Sequence, residues 1–344
     1  MIKAVIIGFA HMHVNEIALY ISEHPDFELV GIADIPADIP EVSESRYTRA
    51  WNIKNVKNNY CNAVYEDYKV MLDELKPDIA FIISIEKPVA VNYDEALEIE
   101  KIVEGYGIEA VVNWPVLWRE YIHKMKAAID SGVIGTPVKV RYINGHTGPL
   151  GKGAKHRGVS ENAEEMTDEA RAKTWWHMEN CGGGVFLDIA CYGCFFSQWF
   201  LGKGDSVISY GANLNTPFGD TADNFAAVIK YDGKMSVIEG TWTTPRAVIP
   251  SGPMVIGTNG AILCTGGAEN CPDVAAYDMY GNKIKLPEYK LGREYSNMIW
   301  QYANHIKTGE PIDKMLTLKE NIKIMAMLDA VIKASHDCKE VRIQ

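Results

Sequence analysis

The stretch KAVIIGFAHMHVNEIALYISE, residues 3–23, decides the fold. Residues 3–7 form a nearly continuous apolar run that ends at Gly8, and residues 14–23 then follow a helical pattern. Later segments repeat this alternation, with strands predicted over 27–33, 79–84 and 108–112 and helices over 65–75 and 92–104. Strands that are apolar throughout and alternate with helices are typical of a parallel sheet covered on both faces.

The pattern changes after Trp114-Pro115. Helices are predicted over 121–131 and 321–334, and strands over 138–144, 206–214, 225–231, 234–242, 261–264 and 283–286. These longer, alternating strands indicate a largely antiparallel sheet with one exposed face. The polar stretch 151–172 reads as a loop or short helices near a site, or as a solvated insertion. We therefore predict an α/β protein with one domain over 1–115 and a second over 116–344.

Composition limits the class of protein. The 344 residues favour two domains, and 47% hydrophobic with 23% charged residues is ordinary for a folded globular chain. A net charge of −11 without a basic block argues against nucleic acid and anionic membranes as partners. The charge-free stretch 189–202 is shorter than the ~20 residues of a membrane helix. The N-terminus lacks a signal-peptide pattern, and seven scattered cysteines suggest a reducing cytoplasm.

The strand–turn–helix at Gly8 is the first candidate site. Dinucleotide-binding folds need glycine there, because backbone N–H groups approach the pyrophosphate and the phosphates lie at the helix N-terminus. Of the usual G-x-G-x-x-G pattern only Gly8 is present, since Ala10 and His13 occupy the later glycine positions. Asp34, at the end of the second strand, is placed to accept ribose hydroxyls and to repel a 2′-phosphate, which favours NAD over NADP. The alternative is a turn glycine with an incidental Asp.

Two further motifs carry reactive side chains. Glu86-Lys87-Pro88 directly follows a strand, where a lysine faces the ligand crevice of a parallel sheet; the alternative is a surface lysine in a turn. The run CGGGVFLDIACY, residues 181–192, places Asp188 and Tyr192 four residues apart, on one helical face. A carboxylate and a phenol can then face one cavity, although a core helix with a satisfied Tyr is an equal reading.

Together these motifs resemble the Gfo/Idh/MocA family of NAD(P)-dependent oxidoreductases over nearly the whole chain. The resemblance rests on the Gly8 turn, Asp34, Glu86-Lys87-Pro88, the stretch DSGVIGTPVKV and the glycine–Asp188 helix. It implies a Rossmann domain, a second α/β domain with a large open sheet, NAD as cofactor, oligomers built through that sheet, and hydride transfer to or from a sugar, cyclitol or glycoside hydroxyl.

The resemblance also implies roles for individual residues. Lys87 matches the catalytic lysine, Asp188 the aspartate of the pattern, and Tyr192 a position where many members carry His and the glucose-fructose oxidoreductase branch carries Tyr. We expect Tyr192 to act as acid/base, with Lys87 assisting and Asp188 orienting. The cofactor-binding residues implied are Gly8, Phe9, Ala10, His11, Met12, Asp34, Ile35, Ser84, Glu86, Lys87 and Asn113.

One departure concerns the first domain. The family usually has a further helix and strand before its E-K-P motif, whereas here PDIAFIIS runs straight into IEKP. We therefore expect a Rossmann domain about one βα unit short, with a narrower sheet and a more open crevice.

Aromatic residues and histidines supply candidate substrate contacts. Five tryptophans lie around the same segments, and aromatic faces suit sugar rings, although core packing or an oligomer interface explains any single one: Trp114, Trp118, Trp175, Trp176 and Trp242. The expected substrate residues are Trp114, His146, Trp176 and His177, with His156 a weaker candidate. Cys191 and Cys194 read as buried small hydrophobes rather than a redox pair. His11 and His13 lack partners at zinc spacing, so no metal is expected.

The leading hypothesis is an NAD-dependent dehydrogenase acting on a ring hydroxyl of a carbohydrate, glycoside or cyclitol. A second is an NAD-dependent glycosidase that works by oxidation, elimination and reduction. A third is a non-catalytic dinucleotide or sugar sensor, or an assembly subunit. We expect a small-molecule partner, no nucleic acid, no membrane, a homo-oligomer and a cytoplasmic location.

Overall fold

Strands and helices alternate through the first third of the chain and give way to a large sheet. A computed structural model describes residues 1–35, 45–82, 87–151, 156–159, 166–245, 248–265 and 273–344. The strands are β1 (Ile2–Ile7), β2 (Phe27–Ala33), β3 (Val64–Tyr65), β4 (Ile79–Ile82), β5 (Pro137–Gly145), β6 (Ser206–Ala212), β7 (Asn224–Tyr231), β8 (Lys234–Thr241), β9 (Gly252–Gly257), β10 (Gly260–Thr265), β11 (Asp273–Asp278), β12 (Lys283–Ile284) and β13 (Val341–Arg342). The helices are α1 (His13–Glu23), α2 (Arg49–Asn59), α3 (Tyr68–Leu75), α4 (Tyr93–Tyr106), α5 (Glu120–Asp130), α6 (Asp168–Ala172), α7 (Cys191–Leu201), α8 (Met298–Thr308) and α9 (Leu318–Asp337).

Contacts divide the chain into two units whose boundaries differ from the predicted boundary at residue 115. The first unit comprises Met1–Glu86, Leu150–Trp175 and Asn297–Glu310, and the second comprises Lys87–Pro149, Trp176–Ser296 and Pro311–Gln344. Residues 87–115 group with the second unit because α4 packs on α9 and the Tyr93 N–H lies 3.5 Å from Asp329 Oδ1. The polar stretch 151–172 groups instead with the first unit.

The first unit contains a parallel sheet in the order β3-β2-β1-β4. β1 is covered on both faces, because its alternate residues enter two different apolar clusters, whereas Ala80 and Ile82 of β4 are exposed. Ala4 and Ile6 pack with residues of α1 and α8, whereas Val5 and Ile7 pack with Met71 of α3. The parallel α/β architecture predicted from residues 3–33 is therefore confirmed.

The predicted strand over 108–112 is wrong. α4 ends at Gly107, which adopts φ +61°, and the chain then leaves the helix without joining the parallel sheet. Within the described residues, its ladder contact is an isolated antiparallel bridge between Val111 and Thr317, supported by the Val112 N–H donating to the Leu316 carbonyl. An apolar run alone cannot distinguish a sheet strand from a segment that pairs with a loop. The described part of the parallel sheet has four strands, and the shortening by one βα unit stays a prediction.

The second unit is built on a nine-stranded sheet in the order β12-β11-β10-β9-β5-β8-β7-β6-β13. Its described pairs are antiparallel except for β5 with β8, which run parallel from Lys139↔Met235 to Gly145↔Thr241. α7 packs on β5, and α9 packs on β6 and on α7, so these two buried helices cover one face. The predicted, mostly antiparallel open sheet is confirmed.

The helical run that contains Asp188 and Tyr192 is the most apolar helical segment described. Among the described residues, Glu179–Leu201 is long and apolar enough to cross a membrane by length and composition, with a mean hydropathy of 1.3. However, 67% of its most apolar window is buried inside the fold, and a central helix of a folded domain passes the same test. This run is weak evidence for a membrane span.

Candidate functional site

The Gly8 turn of the first unit joins β1 to α1 and lies beside the end of β2. Gly8 has φ +89°, a conformation that glycine adopts at little cost, and its N–H donates to the Ala33 carbonyl. The next N–H, of Phe9, donates to Asp34 Oδ1 over 3.1 Å. Met12, the N-cap of α1, makes no side-chain cap hydrogen bond. The structure thus brings the predicted turn residues and Asp34 together.

Asp34 also has a partner that the sequence analysis did not identify. Arg49 Nε lies 2.7 Å from Asp34 Oδ2, and the same guanidinium donates to the Ile35 carbonyl. Burial raises the pKa of Asp34 above its ordinary value, although Arg49 and backbone N–H groups act in the opposite direction. Arg49 is the first residue of α2, a helix absent from the sequence prediction.

A buried asparagine network braces this turn. Asn52 donates from Nδ2 to the Phe9 carbonyl over 3.0 Å and to the Tyr47 carbonyl over 3.2 Å. Asn15 Nδ2 donates to the Met12 carbonyl and to Asn52 Oδ1, each over 2.9 Å. Buried amides are stable only when their hydrogen bonds are satisfied, so the network fixes the turn relative to α1 and α2.

The polar segment 150–175 also contacts this turn. Trp175 Nε1 donates to the Ala10 carbonyl over 3.2 Å, and the His156 ring lies 5.7 Å from that of His13. Gly158 has φ +75°, and a Cβ there would lie 2.1 Å from the Asn15 carbonyl oxygen. The backbone at Gly158 therefore approaches the backbone of α1 more closely than a residue with a Cβ would allow. The segment also contains the short helix α6.

The second unit brings Lys87, Asp188 and Tyr192 together as the resemblance implies. Lys87 Nζ lies 3.5 Å from Asp188 Oδ1, 3.2 Å from the Asp188 carbonyl oxygen and 4.4 Å from the centroid of the Tyr192 ring. The Lys87–Pro88 peptide is cis. Asp188 lies in a π-helical turn, Phe186–Ala190, that leads into α7, and such widened turns are frequent at functional sites.

The glycines before Asp188 serve close packing. Gly182 adopts φ +74°, and a Cβ there would lie 2.3 Å from Val91 Cγ1. Gly184 adopts φ +104°, and its N–H donates to the Trp176 carbonyl over 2.9 Å. Because the chain can turn sharply at these glycines, the apolar helical run that carries Asp188 begins directly after them.

The parallel pair β5–β8 delivers two more side chains to Asp188. Because the strands are parallel, their carboxyl ends meet at one edge, where His146 follows β5 and Trp242 follows β8. The His146 N–H donates to the Thr241 carbonyl over 3.0 Å, which fixes the two ends together. His146 Nε2 lies 2.9 Å from Asp188 Oδ2, and Trp242 Nε1 donates to the same oxygen over 2.9 Å.

These contacts set the charge of the site. Burial acts to raise the pKa of Asp188, but the Lys87 ammonium and the hydrogen bonds from His146 and Trp242 outweigh it. The pKa of Asp188 is held well below its ordinary range, so the carboxylate stays ionised. The ionised carboxylate attracts the Lys87 side chain and orients the His146 ring.

Several sequence-predicted residues lie elsewhere, and one prediction needs correction. Trp114 is 0% exposed, donates from Nε1 to Asn321 Oδ1 and packs edge-on against Tyr192, so it supports the site from the core instead of touching substrate. The Asn113 side chain accepts from Trp118 Nε1, and its cofactor role stays a prediction. Ser84 and Glu86 lie outside the described residues.

Trp176 and His177 precede the glycine run and are buried. The His177 ring packs edge-on against Phe218 and Trp242, with ring centroids 4.9 and 5.5 Å apart. Their substrate roles stay predictions. In the same unit Cys191 and Cys194 are buried free thiols, and burial raises the pKa of Cys191 to about 12, which agrees with inert apolar packing.

Sequence reasoning missed the roles of Arg49, Asn52 and Trp242. Trp242 is the last residue of the predicted strand 234–242, so its position at a strand end was visible, but its contact with Asp188 depended on the unpredicted parallel pairing with β5. Arg49 and Asn52 lie in α2, whose apolar residues do not follow a clear helical stripe. Four asparagines in one short helix were the available indication, because asparagine disfavours helix interiors unless its side chain is engaged.

Comparison with known proteins supports this architecture. Residues 122–263 match the model of the GFO/IDH/MocA C-terminal domain. This segment contains His146, Asp188, Tyr192 and Trp242. No curated protein matches the chain.

Solved structures match over almost the entire chain at low identity. An oxidoreductase from Agrobacterium radiobacter, in complex with NAD⁺, L-tartaric acid and magnesium, has a TM-score of 0.74 at 16% identity, covering 99% of this chain and 98% of the other. The WlbA dehydrogenase from Bordetella pertussis, in complex with NADH and UDP-GlcNAcA, has a TM-score of 0.74 at 16% identity and covers 100% and 99%. An NAD-binding protein from Listeria innocua has a TM-score of 0.70 at 17% identity and covers 99% and 96%. The chain therefore has the fold of these proteins.

Proposed function

We propose that the chain is an NAD-dependent oxidoreductase of the Gfo/Idh/MocA family that acts on a ring hydroxyl of a sugar, glycoside or cyclitol. The observation that carries the proposal is the cluster of Lys87, Asp188, Tyr192 and His146 around one ionised carboxylate. Two of the solved structures with this fold contain NAD⁺ or NADH, and one contains a sugar nucleotide.

The residues of the first unit fit the cofactor. Gly8 at positive φ, in the turn that leads into α1, suits a pyrophosphate, because helix N-termini favour anions. Asp34 at the end of β2 suits the adenosine ribose. Gly8, Ala10, His11 and Asp34 would hold this half of the cofactor, with the asparagine network keeping the turn in place.

When bound, NAD⁺ supplies the acceptor for the hydride that leaves the substrate carbon. The remaining chemistry is removal of the hydroxyl proton, so that the carbon–oxygen bond becomes a carbonyl. Tyr192 is the acid/base group at this hydroxyl, as the resemblance implies, and the Lys87 ammonium beside its ring stabilises negative charge on the oxygens. Asp188 holds Lys87 in place and orients His146, whose ring can hydrogen-bond a neighbouring substrate hydroxyl.

The test begins with cofactor binding and then measures turnover. Purified protein is titrated with NADH while nicotinamide fluorescence is followed, and a panel of sugars, cyclitols and glycosides is then screened at 340 nm with NAD⁺. Lys87→Met is the matched variant, since it keeps the length of the apolar stem and removes the ammonium. We expect binding in both proteins and turnover only in the wild type.

Other results select the other hypotheses. Release of an aglycone without net NADH formation would identify the oxidation–elimination glycosidase. Failure of a folded, cofactor-free protein to bind NADH would refute the proposal and favour a sugar sensor or assembly subunit. Unchanged turnover in Lys87→Met would contradict the assignment of the reactive cluster.

We also propose a homo-oligomer and a cytoplasmic location. The sheet of the second unit exposes large apolar side chains on β6 and β8, namely Ile208, Tyr210 and Met235. Exposed apolar patches of this kind mark interaction surfaces. Light scattering coupled to size-exclusion chromatography measures the mass, and a monomer at micromolar concentration would contradict the oligomer.

A further inference from the structure

The pairing of Asp34 with Arg49 changes what the adenosine end of the cofactor site can accept. A carboxylate at the end of the second strand ordinarily selects NAD, because it accepts the ribose hydroxyls and repels a 2′-phosphate. Here both carboxylate oxygens are engaged, Oδ1 by the Phe9 N–H and Oδ2 by Arg49 Nε. The repulsion expected of a lone carboxylate is therefore offset by an adjacent positive charge.

Building on the proposed function, we infer that Arg49 is a specificity-determining residue that lets the site accept a 2′-phosphate, so that the chain binds NADPH as well as NADH. Arg49 and Asp34 side chains are 16% and 22% exposed, so the pair is partly desolvated and weakly screened by salt. A guanidinium offers a planar fork of donors suited to phosphate, and the contacts to Asp34 and Ile35 use only part of that fork.

Local structure holds Arg49 beside Asp34 at the end of β2. Thr48 caps α2 by accepting the Trp51 N–H, which fixes Arg49 as the first helical residue. The Arg49 contact to the Ile35 carbonyl holds the backbone immediately after Asp34. Because the pair is anchored from α2 on one side and from β2 on the other, the guanidinium stays beside the carboxylate.

The experiment compares NADH with NADPH by nicotinamide fluorescence in the whole protein. We expect the wild-type dissociation constants to agree within about tenfold. Arg49→Gln should weaken the binding of NADPH by about tenfold or more, because it removes a charge-assisted hydrogen bond to the 2′-phosphate. NADH binding should change by less than about threefold. Asp34→Asn should tighten NADPH because it removes the remaining repulsion.

Lys57→Gln is the matched control. It removes the same charge from the exposed last turn of α2, about 12 Å from Arg49 along the helix axis by the usual rise per residue. This variant should leave the NADPH-to-NADH ratio unchanged. Adenosine 2′,5′-bisphosphate and ADP, used as competitors, report the 2′-phosphate contact without the nicotinamide. Circular dichroism melting verifies that each variant is folded.

The outcomes separate this inference from the proposed function. Binding of NADH with NADPH at least about a hundredfold weaker, and a ratio indifferent to Arg49→Gln, overturns the role of Arg49 and leaves the oxidoreductase intact. An equal loss of both cofactors in Arg49→Gln also overturns it, because a structural role would do that. Absence of binding by either cofactor in folded wild-type protein refutes the proposed function itself.

Discussion

Replacing Asp188 by asparagine is expected to lower the free energy of unfolding by about 3 kcal/mol at pH 7, because removing one partner of a buried ion pair typically costs ~3–5 kcal/mol. Lys87 and Asp188 side chains are 4% and 15% exposed, with Nζ 3.5 Å from Oδ1. At an effective dielectric constant of about 20, charges at this distance attract by roughly 5 kcal/mol, of which desolvation cancels a part. Asparagine keeps an acceptor for one neighbour but leaves the ammonium without its counter-ion.

A pair of double-mutant cycles isolates this interaction from other effects of the substitutions. The first cycle uses Lys87→Met and Asp188→Asn, and the second uses Lys333→Met and Asp329→Asn. Lys333 Nζ and Asp329 Oδ2 are closer, at 2.7 Å, but Lys333 is 50% exposed. We expect a coupling energy of about 3 kcal/mol in the first cycle and below about 1 kcal/mol in the second, since solvent screens exposed pairs.

The pH dependence of the first cycle has a definite sign. The folded-state pKa of Asp188 lies below its unfolded value, so its stabilising contribution is fully present above the unfolded value of about 4 and is lost as pH falls further. Urea unfolding at pH 7, 5 and 3.5, followed by tryptophan fluorescence, measures the difference in the free energy of unfolding between wild type and Asp188→Asn. Equal coupling energies in the two cycles would refute this reasoning. So would a difference in the free energy of unfolding that does not become smaller below pH 4.

Three other substitutions test the site and its support. Tyr192→Phe should reduce turnover by about a hundredfold or more at 340 nm, because acid/base groups contribute ~10²–10⁴-fold, with NADH binding and melting temperature unchanged; retained turnover would move the role to another group. Asn52→Leu should lower the free energy of unfolding by about 2 kcal/mol and weaken NADH binding, because it leaves the Phe9 carbonyl without its hydrogen bond. Urea unfolding and fluorescence titration measure the two effects. Unaltered NADH affinity would show that the turn does not need this hydrogen bond. Gly158→Ala should destabilise the fold by more than the ~1–3 kcal/mol of a strained φ, because its Cβ would lie 2.1 Å from a backbone atom. Gly132→Ala, also at positive φ but with open space around it, measures the φ penalty alone in the same melting experiment. Equal losses of stability in the two variants would contradict the close contact.

The sequence predicted β1, β2 and β4 of the parallel sheet, because a short apolar run bounded by turns is a strong local pattern, but it did not predict β3. β1 and β2 are apolar almost throughout, and Gly8 marks the turn from β1 into α1. It failed at 108–112, where an equally apolar run pairs with residues near 317 instead of joining the sheet. The composition of a segment can predict that it is buried. Which other segment it pairs with depends on the whole fold and cannot be predicted from that segment alone.

The same limit applies to the candidate site. Lys87, Asp188 and Tyr192 were identifiable because each lies in a motif with a defined spacing. The contact between Asp34 and Arg49 was not, because the two residues belong to different elements and α2 has a weak apolar stripe. Trp114 was misassigned for the opposite reason, since an aromatic residue near a motif reads the same whether it touches a ligand or supports the helix behind it.

Among the described strands of the large sheet, the parallel pair β5–β8 explains how His146 and Trp242 reach the same carboxylate oxygen. The register pairs Gly145 with Thr241, so the residue after each strand lies at the same level. Side chains in a strand alternate between faces, and a shift of one residue would turn one of the two away from Asp188. An antiparallel neighbour would place the ends of the strands at opposite edges of the sheet. The exception to the antiparallel pattern therefore lies where the proposed chemistry needs two donors to converge, and a variant that shifted this register by one residue would lose one of the two donors.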